Sequence, residues 1–196
     1  AGVGAIDLFD NDTVSVSNLN RQIVALHSTV GKPKVEVMRE RILDINPDCS
    51  VRAICRLYTE EDKLSFFDTD YSYIADCIDL VSCKLSLIMN AREREIPTIS
   101  ALGTGNKLDP SQFSITDISK TTGCPLARVM RKELRKRGIT DVKVVYSEEP
   151  PLIPLEEGVP GSLAFVPSAA GLMMAGAVVM DLADVNLDAR RKGARP

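Results

Sequence analysis

The sequence predicts an α/β fold, a mostly parallel sheet flanked by helices. Three observations predict it. Short apolar runs alternate with longer amphipathic stretches along most of the 196 residues, which is the mark of successive βα units. The longer stretches carry apolar residues at spacings of three and four, the helical period. Two of the apolar runs end in acidic residues, at Asp10-Asn11-Asp12 and at Asp76-Cys77-Ile78-Asp79, where open α/β sheets bind their ligands.

The elements follow in order. Ala5–Phe9 reads as a strand. Lys32–Ile45 reads as a helix, with Val35, Met38, Ile42 and Ile45 along one face and Pro47 behind it. Val51–Leu57 is a second strand, and Thr59 is placed to cap a short helix opened by Glu60, Glu61 and Asp62. Tyr73–Cys77 is a third strand, followed by a helix over Val81–Glu93. Pro97–Ala101 and Gln112–Thr116 read as strands, with a Gly103-Thr104-Gly105 turn between them. Leu126–Arg137 is an amphipathic helix, facing inward with Leu126, Met130 and Leu134 and stopping at Gly138. Val142–Tyr146 is the next strand. Pro150, Pro151, Pro154 and Gly158 mark a loop. The apolar run Leu163–Val179, interrupted by Pro167, Ser168, Gly171 and Gly176, reads as a strand and then a buried helix over Ala169–Leu182. Those interruptions argue against a membrane span. The basic stretch from Ala189 to Pro196 reads as a tail.

Composition narrows the class. The chain is 44% hydrophobic and 26% charged, with a formal net charge of −3, the balance of a soluble globular protein. The local charge differs from the average. Lys120 to Lys143 holds eight basic residues against Glu133 and Asp141, a balance of +6. Arg128, Arg131, Lys132, Arg135 and Lys136 share one helical face, either a nucleic-acid contact or a solvated surface. The segment from Glu148 to Glu157 has the opposite sign. The five cysteines are Cys49, Cys55, Cys77, Cys83 and Cys124. Their odd number and the absence of a secretion signal point to reduced thiols in a cytoplasmic protein. One histidine, His27, and no paired CxxC spacing argue against zinc.

Three clusters carry chemistry. Asp10 follows a strand end, where an acidic residue can hydrogen-bond a ribose hydroxyl. Asp12, Asn18, Asn20, Arg21 and Gln22 continue the polar run, and an arginine fork suits phosphate. Lys34 lies in the first turn of a helix. The dipole disfavours a cation there unless an anionic ligand also binds. Asp76 and Asp79 sit at a strand edge where carboxylates can hold Mg²⁺ beside phosphates. Asp79 also suits a helix N-cap.

The run DNDTVSVSNLNRQ, then GKPK, then DCID after a strand resembles the ThiF/HesA/MoeB superfamily, relatives of ubiquitin-activating enzymes. The resemblance spans Gly4 to about Gly105. It implies a Rossmann-like sheet, ATP as cosubstrate with Mg²⁺, and adenylation of a substrate carboxylate. By position, it implies that Asp10 binds ribose, that Asn20 and Arg21 bind phosphates with Gln22 beside them, that Lys34 meets the phosphates, and that Asp79 coordinates Mg²⁺. The wider nucleotide set is Asp10, Asp12, Asn18, Asn20, Arg21, Gln22, Lys34 and Asp79. Arg21, Lys34 and Asp79 are the members expected to act in the chemistry.

The second half, DISKTTGCPLARVMRKELRKRGI, VVYSEEPP and GSLAFVPSAAGLMMAG, resembles the branch of dehydratases that cyclise threonylcarbamoyladenosine in tRNA. This branch implies tRNA as substrate and a homodimer in the cytoplasm. Two features depart from the pattern. The GxGxxG loop that opens this fold is absent, so the first βα unit is expected to be missing. Cys124 stands where an acidic residue is expected. The zinc-binding CxxC pairs of MoeB-like relatives are also absent. The alternative is adenylation of the C-terminal glycine of a small sulfur-carrier or ubiquitin-like protein, with sulfur-carrier or cysteine-desulfurase-type partners. A non-catalytic ATP-binding scaffold is the third reading. The expected organisation is one adenylating domain over residues 1–183. Residues 1–105 form its nucleotide-binding region and residues 106–183 its substrate and dimer region, with a tail at 184–196.

Overall fold

The structure, a computed structural model, describes residues 1–153 and 161–185. Pro154, Glu156, Glu157 and Gly158 of the expected loop and most of the expected tail lie outside the described residues. Among the described residues, six strands form two hydrogen-bonded groups. In the first, β1 (Ala5–Phe9) and β2 (Ser50–Ile54) pair in parallel, with Ala5 opposite Ser50 and Phe9 opposite Ile54. Parallel neighbours need a crossover, supplied here by a segment containing α1 (Lys34–Ile45). A short α2 (Lys63–Phe66) follows a 3₁₀ turn at Glu60–Asp62.

The second group runs in the order β3–β4–β6–β5. Its strands are β3 (Ile74–Asp76), β4 (Thr98–Ala101), β5 (Phe113–Asp117) and β6 (Lys143–Ser147). β3, β4 and β6 are parallel, and β5 runs antiparallel along the outer edge of β6. α3 (Val81–Glu93) crosses from β3 to β4, and α4 (Pro125–Arg135) lies between β5 and β6. Among the described residues, β1 has a ladder only with β2, and β3 only with β4.

The core has three layers around this second group. Successive strand residues face opposite sides, and β6 shows it plainly. Val144 and Tyr146 pack with Leu85, Ile88, Met130 and Leu134 of α3 and α4. Val145 packs on the other side with Ile99, Phe113, Val166, Ala170 and Met174, the last three from α5 (Phe165–Leu182). β6 is therefore buried on both faces, which explains its unbroken apolar run. Two glycines shape the path. Gly138 takes φ +75 where α4 ends, and Gly123, at φ +70, has room for no side chain because a Cβ would stand 3.0 Å from the Glu148 carbonyl oxygen.

Most elements fall within two or three residues of their expected bounds. The last helix does not. It starts at Phe165 and runs unbroken through Pro167, Gly171 and Gly176, and the described residues 161–164 before it form no strand. Pro167 lies in the first turn, where a missing N–H costs nothing. Nor is it a buried helix, since Leu172 is 75% and Phe165 52% exposed. By length and composition it is one helix that could cross a bilayer, with mean hydropathy 1.6. Here, however, Val166, Ala170 and Met174 lie on the sheet, and Asp181 accepts hydrogen bonds from Lys143 and Tyr73. In α1 the expected face is also shifted. Val35 and Val37 are buried, while Ile45 is 72% exposed.

The β1–β2 pair is held by a cross-strand ion pair. Asp7 stands directly opposite Arg52, takes an N–H from the Arg52 Nε at 2.8 Å and a second from its terminal nitrogen, and accepts the Tyr71 hydroxyl at 2.8 Å. The Arg52 hydrogen bonds hold the Asp7 carboxyl below its ordinary value of 3.8; burial opposes them and Tyr71 assists. A depressed folded value means stability that is complete above the unfolded pKa and is lost as pH falls through the folded one. Asp7→Asn should therefore lower unfolding free energy at pH 7 by about 1 kcal/mol, since Arg52 is half exposed. The gap to wild type should close as pH drops below 3.8. Urea melts across pH 2 to 7 check this; a gap constant with pH would show that Asp7 acts by packing alone.

Candidate functional site

The residues after β1 fold back onto the start of α1. Val14 N–H donates to the Lys32 carbonyl and Gly31 N–H to the Val14 carbonyl, each at 2.8 Å, and Lys34 N–H donates to the Asp12 carbonyl at 3.0 Å. This lacing brings together side chains 22 residues apart. The Lys34 Nζ lies 2.6 Å from Asp12 Oδ2 and 4.0 Å from Asp10 Oδ2. Asp10 in turn accepts the Asp12 N–H at 2.8 Å. Lys34 is little exposed, and both aspartates reach solvent. The ammonium is thus balanced locally by carboxylates, so an anion arriving at the helix start must compete with Asp12 for it.

The second expected group is built on a 3₁₀ turn at Val16–Asn18. Asn18 is buried, and its Oδ1 accepts the Ser15 N–H at 3.0 Å. Its carbonyl receives the N–H groups of both Arg21 and Gln22. Asn18 therefore shapes the turn through its side-chain oxygen and its carbonyl. Asn20 is exposed and donates to the Ser162 carbonyl at 3.0 Å. This links the turn to the segment just before α5. The Arg21 guanidinium donates to the Ser17 carbonyl at 2.8 Å and to Asn20 Oδ1 at 2.9 Å. Gln22 is half-buried beside it.

The two aspartates after β3 differ completely. Asp76 is shut away from solvent and accepts Lys84 Nζ and Ser100 Oγ, each at 2.7 Å, and the Ile78 N–H at 3.0 Å. Asp79 is exposed, and no side chain among the described residues bonds to its carboxylate. Nor is it the helix cap, because α3 begins after Leu80. Of the two, only Asp79 is open to solvent. Phe9 and Ile78, which immediately precede Asp10 and Asp79, pack against one apolar cluster containing Phe66, Ile74 and Leu87. Sequence reading missed Lys84 and Ser100. The available signal was a single lysine inside the otherwise uncharged start of α3, eight residues after Asp76.

Cys124 is buried and caps α4, its Sγ 3.5 Å from the Ala127 N–H. An acidic residue would serve the same end of the helix, as a better cap. α4 buries Ala127, Met130 and Leu134. Arg128, Lys132, Arg135 and Lys136 lie on its outer side and, with Arg131, line a depression of about 390 Å³. Arg131 departs from the expected basic face. Its guanidinium donates to the Thr121 carbonyl at 2.7 Å and to the Thr121 hydroxyl at 2.5 Å, tying α4 to the preceding turn. Lys136 and Arg137 both pair with Glu133. Among the described residues, no group of three or more His, Cys, Asp or Glu side chains could hold a metal.

Comparison with known proteins identifies the family. Residues 1–191 match the ThiF family. The tRNA threonylcarbamoyladenosine dehydratase of Bacillus subtilis is 46% identical over 200 residues, which cover 93% of this chain and 78% of that protein. The structure of Escherichia coli tRNA N6-threonylcarbamoyladenosine dehydratase in complex with ATP superposes with a TM-score of 0.77 at 36% identity, over 90% of this chain and 78% of that one. The molybdopterin-synthase adenylyltransferase of Escherichia coli is 31% identical over 143 residues, 73% of this chain and 55% of that protein. A ThiF match over nearly the whole chain, on a mostly parallel α/β sheet of the same fold, means that this chain belongs to the ThiF family.

Proposed function

We propose that this chain is the ATP-binding, adenylating domain of a tRNA threonylcarbamoyladenosine dehydratase, spanning residues 1–183 with its nucleotide-binding region in residues 1–105. The observation that carries the reading is the meeting of Asp10, Asp12 and Lys34 at the end of β1, in a chain 46% identical to a dehydratase. A substrate carboxylate oxygen attacks the α-phosphorus of ATP, and the bond to pyrophosphate breaks. An internal carbamoyl oxygen or nitrogen then attacks the acyl carbon. AMP leaves, a proton is lost and the ring closes.

Each residue has a physical task. Asp10 accepts from ribose hydroxyls at the strand end. Lys34 moves from Asp12 to the phosphates and neutralises their charge at the start of α1. Asn20, Arg21 and Gln22 donate to phosphate oxygens, and Asn18 holds their turn. Asp79 suits Mg²⁺ bound in the usual way, by one carboxylate plus phosphates and water. Mg²⁺ there would add positive charge beside the leaving pyrophosphate. Cys124 is turned into the core as a helix cap, so the ring closes without a thioester. The likeness to tRNA-modifying dehydratases supports a cytoplasmic setting.

The second reading is adenylation of the C-terminal glycine of a sulfur-carrier or ubiquitin-like protein, favoured by the likeness to molybdopterin-synthase adenylyltransferase. Pyrophosphate release separates the two. The full-length enzyme should release pyrophosphate with threonylcarbamoyladenosine-bearing tRNA and not with a carrier protein ending in glycine. Lys34→Ala and Arg21→Ala should each cut that release about a hundredfold or more, while stability shifts by no more than about 1 kcal/mol. Release with the carrier alone would reverse the assignment, and a folded variant with near-normal release would remove that residue from the phosphate site.

The exposed basic side of α4 is proposed to meet the tRNA backbone. Arg128, Lys132 and Arg135 are its open charges, because Arg131 is held by Thr121. Each phosphate contact releases counterions and adds about 0.7 to 0.9 to the salt slope of binding. Lys132→Ala with Arg135→Ala should lower tRNA affinity and flatten that slope, with ATP binding unchanged. Equal slopes in a salt titration would make this face solvated surface only.

The exposed side of α5 is proposed to pair with a second copy of the chain. Phe165, Leu172, Ala175 and Leu182 are exposed along it, with Gly171 and Gly176 allowing close approach. The basic face of α4 belongs to the opposite cover of the sheet, so pairing through α5 leaves tRNA contact free. Leu172→Lys should convert a dimer to a monomer in sedimentation equilibrium without unfolding it. An unchanged dimer would move the interface elsewhere.

A further inference from the structure

Asp76 and Lys84 are each 0% exposed at the side chain, and stability alone gives no reason for them. Enclosing two charges carries a large desolvation cost, and apolar replacements of similar volume are often neutral or stabilising. What the pair does provide is fixed geometry. The Asp76 carboxylate accepts from three places at once: Lys84 in the first turn of α3, Ser100 in β4 and the Ile78 N–H in the turn between β3 and α3. The Lys84 N–H also donates to the Leu80 carbonyl at 2.9 Å. The carboxylate therefore grips the turn at Ile78, and the ordinary helical backbone bond at Leu80 closes its other end. Asp79 is the one residue between those two points, and its own carboxylate is left to solvent.

We propose that Asp76, Lys84 and Ser100 are positioning residues, a buried charged lock that sets the turn presenting Asp79 to the metal–phosphate group. The proposal rests on the reading of Asp79 as the Mg²⁺ ligand. The lock joins β3, α3 and β4 in one contact, so a shift in any of them is transmitted to Asp79. Lys84 and Ser100 both bond Asp76 Oδ2, which leaves Oδ1 to the Ile78 N–H and so fixes the carboxylate's rotation; Ser100 adds a directional bond that Lys84, a flexible point charge, does not supply alone.

Two variants and two readouts test it in the full-length enzyme. Asp76→Leu with Lys84→Met removes both charges together, so no unpaired buried charge is left to unfold the protein. Ser100→Ala removes one hydrogen bond and leaves the ion pair. In ligand-free protein, amide exchange of the 77–80 turn should rise roughly tenfold or more in the double variant and less in Ser100→Ala, with exchange in β6 unchanged. The Mg²⁺ concentration for half-maximal pyrophosphate release should rise by a similar factor, roughly tenfold. The KM for ATP at saturating Mg²⁺ should stay near that of wild type. Asp79→Asn is the reference. If it raises the Mg²⁺ requirement while the lock variants do not, the lock is structural only and the proposal falls. If Asp79→Asn itself leaves the requirement unchanged, the metal reading of Asp79 falls instead, and the exchange data still show whether the lock holds the turn. Unchanged exchange in both lock variants overturns the proposal outright.

Discussion

Burial of β6 and β4 on both faces is the constraint on which the rest of the structure depends. A strand with apolar side chains on both sides needs a cover above and below. α3 and α4 supply one cover and α5 the other. Parallel pairing adds a second demand, because each return crossing must travel the length of the sheet. β3, β4 and β6 consequently end at one edge, and the loops leaving that edge are free of ladder duty. The polar turn after β3 is one of them. The site is thus a consequence of how the sheet is covered, not an addition to it.

Charge is distributed by the same logic. Exposed pairs such as Arg92 with Asp141 or Lys136 with Glu133 lie in high dielectric and contribute little. The charges that matter are enclosed or half-enclosed. Lys34 is held under Asp12, and Lys84 lies wholly inside with Asp76. Lys107 is buried as well, its Nζ donating to the Glu149 carbonyl, while the Glu149 carboxylate receives the N–H groups of Leu108 and Asp109 at 2.8 and 3.0 Å. This ties the loop after β4 to the end of β6. Buried lysines thus brace two neighbouring loops at the edge where three parallel strands end.

The apolar surface of α5 and the basic surface of α4 face different tasks because of their position in the layers. α4 buries one narrow stripe and leaves its other sides to water, so charge is tolerated there. α5 has only Val166, Ala170 and Met174 buried among its eighteen residues, and its outer side is still apolar. A helix apolar all round is normally enclosed. In the single chain this one is not, and the imbalance is what an interface with a second copy would remove.

The sequence by itself determined the alternation of strands and helices, because periods of two and 3.6 can be read from apolar spacing alone. It also carried the family, since the run from Asp10 through Asn20 and Arg21, followed by the segment with Lys34, stands in an order that the ThiF match bears out. Tertiary structure decided what each charge does. Asp76 and Asp79 are three residues apart and look alike in the chain. One is buried because its side chain points to β4 and α3, and the other lies in a turn open to water. Asn18 stands in the chain beside exposed polar neighbours, yet it is buried and its side-chain oxygen holds the 3₁₀ turn. Arg131 looked like one more basic surface residue until its contact with Thr121 appeared. The helix at Phe165 was hidden because glycine and proline mark breaks only on average, and packing on the sheet overrides them. Local spacing carries period and residue type. Burial and partnership come from segments far apart in the chain, and only the fold brings those together.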